Sequence, residues 1–151
     1  MDLSTSSEQT RFFQTWLDRV AAAFFENNFD VYRDAVILPL TVTTTKATMI
    51  VETEAELRQG FDAWANMLKA QQATDMIRTA RSVEMMDDAM MFGVYDTEIL
   101  AGARRVITPF TSFMLLRRED DVWRAATVTS GMSNESWPIT VPKTGMNGQM
   151  N

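Results

Sequence analysis

The chain of 151 residues contains neither histidine nor cysteine, so its chemistry must come from carboxylates, hydroxyls, amines, guanidiniums and aromatic rings. Without cysteine there is no disulfide, no thiolate nucleophile and no thiolate metal ligand. Without histidine the commonest metal ligand is missing, and so is the one side chain that ordinarily titrates near neutrality. A Ser-His-Asp triad is ruled out, and a zinc or iron site would have to rest on carboxylates alone. No cofactor is expected. The candidate that remains is Asp96, with Arg81 beside it. On a hairpin turning at Asp87-Asp88 the two are diagonal neighbours, close enough for an ion pair. Burial among apolar groups would raise the Asp96 pKa, and the guanidinium would lower it. Such a carboxylate is a candidate base, able to shift a proton on a small hydrophobic carbonyl compound or to activate a water for hydrolysis.

A second group of candidates lies in TSFMLLRREDDVWRAATVTS, residues 111–130. With Asp120-Asp121 as the turn, Trp123, Ala125, Thr127 and Thr129 share a face with Phe110, Ser112, Met114 and Leu116. The opposite face sets Arg117 against Arg124, with Phe113, Leu115 and Val128 around them. Two like charges side by side are costly in a dry interior, so the Trp123 face is expected to look inward. Yet both faces are apolar, and a sheet of that kind needs cover on both sides. Trp16 and Trp64 lie on the apolar stripes of two helices, and Tyr32 and Tyr95 offer hydroxyls. Twelve methionines suit either a plastic pocket or an ordinary core.

The elements that must hold these residues are legible. Phe13, Trp16, Leu17, Val20 and Phe24 recur at helical spacing and predict a first helix from Ser7 to Asn28, with several Ser and Thr residues before it as potential caps. DVYRDAV supplies one or two further turns. LPLTVTT and ATMIVET read as a short hairpin, where Pro39 suits a strand start or a sheet edge. Thr53-Glu54-Ala55-Glu56 is a capping box that opens a second long helix running to Gln72, with Leu57, Phe61, Trp64 and Leu68 on its stripe. From Asp75 the period becomes two, giving four antiparallel strands: DMIRTARSVEMM, AMMFGVYDTEIL, RRVITPFTSFMLLRR and VWRAATVTS. Pro109 predicts a bulge or bend in the third.

This order (helix, short helix, hairpin, long helix, four strands) resembles the nuclear transport factor 2-like fold over residues 7–131. Residues 38–64, LPLTVTTTKATMIVETEAELRQGFDAW, and residues 116–130, LRREDDVWRAATVTS, are similar to its SnoaL-like, uncharacterised bacterial branch. The resemblance implies an α+β domain in which a strongly curved antiparallel sheet wraps the long N-terminal helices like a cone, a cystatin-like α+β barrel. It also implies a pocket inside the cone and a homodimer through the open sheet face. Residues 1–6 would then be a flexible N-terminus and 132–151 a loose or draped tail. With the Trp123 face inside, Trp123, Ser112 and Thr127 would line the pocket. With the Arg81 face of the preceding hairpin also inside, Arg81 and Asp96 would orient a polar group of a ligand, alongside Trp16, Trp64 and Tyr95.

Enzymes that share this fold need acids or bases this chain does not supply at the matching places. The isomerases carry a base Asp on the first hairpin, and here no carboxylate precedes Glu52 in it. The cyclases and a dehydratase use His or Asp on the inner sheet face, where this chain has Thr127 and Thr129, which accept no proton near neutral pH. The leading expectation is therefore an uncharacterised SnoaL-like dimer with an apolar small-molecule pocket and no assigned reaction. The alternatives are a cofactor-free isomerase, cyclase or hydrolase using Asp96, or a protein-interaction module using the sheet face. A formal net charge of -6 with scattered Arg and Lys disfavours nucleic acid. No apolar run reaches the roughly 20 residues of a membrane span, and no secretion-signal pattern opens the chain, so a cytoplasmic protein is expected.

Overall fold

The computed structural model describes residues 2–132. Helix α1 spans Ser6–Phe25 and is started by Thr5, whose hydroxyl accepts from the Glu8 amide while the Glu8 side chain returns to the Thr5 amide. This reciprocal cap satisfies two of the free donors at the helix start. It begins one residue before the expected position, and it ends before Asn27, which takes a left-handed φ of 54°. Asn28 then caps the short helix α2, Phe29–Asp34. Strands β1, Val36–Thr43, and β2, Thr48–Val51, form the expected hairpin, with Leu40 opposite Val51 and Thr43 opposite Thr48. The predicted capping box is present: Thr53 and Glu56 open helix α3, Glu54–Ala70.

Five strands follow: β3, Asp75–Asp87; β4, Met90–Ala101; the two-residue β5, Arg104–Arg105; β6, Phe110–Glu119; and β7, Val122–Ser130. The predicted third strand is thus broken, because the segment before Pro109 leaves the ladder after pairing briefly with β4. The curved sheet runs β2-β1-β7-β6-β4-β3. It is mixed rather than wholly antiparallel: β1 and β7 run parallel, and every other pairing is antiparallel. Helix α3 carries the chain from one edge of the sheet to the other, and the antiparallel meander back delivers β7 alongside β1. Pro39, which has no amide proton to give a ladder, falls where the β1–β7 register shifts, between Val36 and Thr41.

The concave side of the sheet and the helices enclose one core, in which Phe13, Leu17, Phe61, Met91, Ile99 and Leu116 are fully buried. Edge strand β3 is tied to α1 by Gln14. Its side-chain amide donates to the Arg78 carbonyl at 2.6 Å, and its oxygen accepts from the Ala80 amide at 2.9 Å. These bonds occupy backbone groups that an unprotected edge would offer to another chain. Leu3 packs on the core, and its carbonyl accepts from Gln9. At the other end Met132 is buried. The expected C-terminal tail from 133 onward lies outside the described residues.

Candidate functional site

Between the helices and the sheet lies a cavity of about 360 Å³, at the small end of the ligand-pocket range of about 300–1,000 Å³. The stripe of α1 that buries Trp16, Val20 and Phe24 supplies one wall, and Leu57, Gly60 and Trp64 of α3 supply another. The first hairpin closes a third side, with Met49, Ile50 and Val51 near the opening, where Ile50 is exposed. The sheet floor presents Tyr95 from β4, Ser112 and Met114 from β6, and Val128 and Ser130 from β7. Tyr32 of α2 and Arg78 of β3 complete the lining at its polar end.

The structure brings Trp16, Trp64, Ser112 and Tyr95 together in this lining, with Tyr32. Trp123 faces inward too, but packs in the core beside Phe12, with ring centroids 6.1 Å apart, and its carbonyl accepts the Trp16 indole N–H at 3.1 Å. It does not border the cavity. Thr127 faces outward, contrary to expectation. In the β6–β7 ladder Leu116 pairs with Ala125 and Leu115 with Thr127, so Ala126 is an extra residue. That bulge reverses the alternation and turns Val128 and Ser130 inward in place of Thr127 and Thr129.

The expected placement of Arg81 and Asp96 is likewise corrected. The two form their ion pair, Nε to Oδ2 at 2.5 Å, but on the convex face of the sheet. The inward residues of β4 are Met91, Gly93, Tyr95, Thr97 and Ile99, which puts Asp96 on the other side. Arg81 is itself a bulged residue, since Ala80 pairs with Tyr95 and Ser82 with Val94. The hydrogen bond from Thr111 at 2.7 Å and then the Arg81 guanidinium hold the Asp96 carboxyl below its ordinary pKa. A surface carboxylate held ionised in this way is a poor base and is out of reach of anything in the cavity.

The residue that sequence reasoning missed is Arg78. It shares an alternation with Met76 and Ala80, on the hairpin face opposite the one expected to line the cavity. A charge amid Met76, Tyr95 and Thr97 was the available signal. Its guanidinium carbon lies 5.6 Å from the Tyr95 ring centroid, and its Nε is buried with no hydrogen-bond partner among the described residues. Burial pushes Tyr32 up to about 12 and also raises Tyr95, while the nearby Arg78 charge opposes both shifts. Both phenols are therefore neutral hydrogen-bonding groups at physiological pH. Glu56 is the one carboxylate in the lining, exposed at the opening, where its oxygen accepts from the Glu52 and Thr53 amides at 2.8 and 3.3 Å. No group of three or more acidic residues among the described residues is arranged to hold a metal ion. The lining is thus mainly apolar, with the Arg78 guanidinium and the Tyr32, Tyr95 and Ser112 hydroxyls among it.

No protein-family model matches the sequence, and comparison with curated proteins finds no match. Solved structures do match. An NTF-2-like protein of unknown function from Shewanella oneidensis MR-1 aligns with a TM-score of 0.61 at 13% identity, over 82% of this chain and 98% of that one. A cystatin-like-fold protein of unknown function from Nostoc punctiforme PCC 73102 gives 0.63 at 12% identity, over 89% and 96%. A ketosteroid isomerase-like protein from Shewanella frigidimarina NCIMB 400 gives 0.58 at 10% identity, over 78% and 92%. The chain therefore has the nuclear transport factor 2-like, cystatin-like fold. No helix among the described residues is long and apolar enough to cross a membrane.

Proposed function

We propose that this protein is a ligand-binding domain that holds one small, mainly apolar molecule inside its cone. The observation that carries this reading is the cavity of about 360 Å³, walled by Trp16, Phe24 and Trp64, with Tyr32, Arg78, Tyr95 and Ser112 among the few polar groups of a mainly apolar lining. Ligand pockets are of this kind: apolar over most of their surface, with a few polar groups that fix orientation. Neutral indole is a suitable probe. It should raise Tm and shift the indole N–H resonances of Trp16 and Trp64 with one-to-one saturation. Gly60→Leu places a side chain on α3 at the cavity wall and improves helix propensity, so it should abolish the indole effect without loss of fold. Indole that perturbs surface residues alone, or binds Gly60→Leu as well as wild type, would refute the reading.

The same reading includes a homodimer, supported by the convex face of the sheet. Phe92 and Phe113 are 38% and 42% exposed there, with ring centroids 5.8 Å apart. Val94 and Leu115, their partners in the β4–β6 ladder, extend the apolar patch across the strands. A closed two-fold pairing covers such a patch with its own copy and leaves no open surface. Light scattering should give twice the mass of one chain for wild type and the single-chain mass for Phe113→Glu. A monomeric wild type would remove the dimer from the proposal.

A further inference from the structure

Arg78 enters the cavity wall from β3 as a cation with no counter-ion among the described residues. No carboxylate among the described residues lies within salt-bridge distance of it, and its Nε is shut off from solvent without a hydrogen-bond acceptor. The other unpaired buried polar atom among the described residues is the Thr97 hydroxyl. Thr97 stands directly opposite Arg78 in the β3–β4 ladder, although it does not itself border the cavity. Unmet hydrogen-bonding capacity is thus concentrated at one place. Native proteins pair nearly all buried donors; Arg78 as a whole is half-buried, so the cost falls on its shut-off Nε rather than on a fully buried charge. The face of the Tyr95 ring offsets only part of that cost for Arg78.

We propose that Arg78 is the anion-recognition residue of the cavity, and that the natural ligand is a small hydrophobic acid bearing a carboxylate. A guanidinium presents planar, paired N–H donors that match a carboxylate in two-point contact. Tyr32, Tyr95 and Ser112 stand at the same end of the cavity with hydroxyls that can donate to such an oxygen. Trp16, Phe24 and Trp64 receive the apolar remainder. The acid would enter past Ile50 and Glu56, and the exposed Glu56 carboxylate at the opening is tied to backbone amides rather than to Arg78. This assignment rests on the ligand-binding reading above and adds the charge of the ligand to it.

Phenylacetate and phenylacetamide have nearly the same size and shape and differ in charge, so the full-length protein can be titrated with each by calorimetry, with indole as the neutral reference. Wild type should bind the acid at least about tenfold more tightly than the amide, the scale of a hydrogen bond to a charged partner. Arg78→Gln should bring the acid-to-amide affinity ratio down to about one, and Arg78→Lys should restore part of it. Added salt should weaken the acid and not the amide. Equal affinity of wild type for acid and amide, with indole bound, overturns the anion assignment and leaves the cavity as a ligand site. Failure of all three probes to bind removes the cavity reading, and this inference with it. The comparison of acid with amide uses wild type alone, so it decides the matter even if an Arg78 variant does not fold.

Discussion

The ring of Phe13 lies flat against the backbone of Gly93: a Cβ built at residue 93 would sit 2.4 Å from two of its carbons. Here a side chain of α1 packs directly on the middle of β4. Phe13 is fully buried and also meets the Tyr95 ring, with centroids 5.9 Å apart, so it has no free space into which to retreat. Gly93→Ala should therefore destabilise by about 1–3 kcal/mol, the usual effect of overpacking. Equilibrium denaturation in urea would show it as a lower midpoint at unchanged slope. Because Tyr95 borders the cavity, indole affinity should fall as well.

Gln14 makes a prediction at single-residue resolution. Its side chain donates to the Arg78 carbonyl and accepts from the Ala80 amide, with Asp18 taking a further donor bond at 2.9 Å. Gln14→Met keeps the bulk and removes all three bonds. A loss of about 1–3 kcal/mol is expected from leaving these groups unmet. The Ala80 amide should exchange its hydrogen markedly faster, while amides in the centre of β6 change no more than the global stability requires.

Alkaline pH offers a test that needs no variant. The chain has two tyrosines, Tyr32 and Tyr95, and burial raises both. For Tyr32 the folded value of about 12 lies above the ordinary 10.0. The stability from keeping that phenol neutral is thus complete below pH 10 and is lost as pH climbs toward 12. The loss should not exceed about 2–3 kcal/mol for such a shift. Tyrosinate absorbance should stay flat through pH 10 and then rise together with unfolding. A normal titration of either tyrosine in the folded protein would contradict the buried polar end of the cavity.

Asp96 has the opposite sign. Its depressed pKa means that its contribution is present above the ordinary Asp range and is lost as pH falls through its folded value. Asp96→Asn should cost about 0.2–1 kcal/mol at neutral pH, the scale of a surface pair. The difference from wild type should shrink as pH drops below about 4. Binding of indole and of phenylacetate should be unchanged, because the residue is on the convex face.

What could be read from the sequence, and what could not, divides along one physical line. Helix stripes and the capping box at Thr53 and Glu56 are local, so they were legible and the structure has them. The inward face of β6, with Ser112, Met114 and Leu116, followed correctly from the cost of setting Arg117 beside Arg124. Inward faces elsewhere depended on an unbroken alternation, and the extra residues at Arg81 and Ala126 interrupt it. One inserted residue exchanges the two sides of everything beyond it, with no mark in hydrophobic pattern. Thr127 was misplaced for that reason. Asp96 was misplaced for a different one: the face it shares with Phe92 and Val94 carries large apolar side chains, as the buried face does, so the two are not told apart by pattern. Arg78 was passed over because it alternates with Met76 and Ala80, on the opposite face of the hairpin from the Arg81 and Asp96 chosen for the pocket.

The parallel seam between β1 and β7 joins the first strand to the last among the described residues, with helix α3 and the whole meander between them. During synthesis the opening third of the protein must therefore wait, its first hairpin unstitched on one side, until the last strand has left the ribosome. Val128 and Ser130 on that strand complete the chamber floor. A nascent or truncated chain that stops before them lacks both that part of the floor and the strand on which the first hairpin leans.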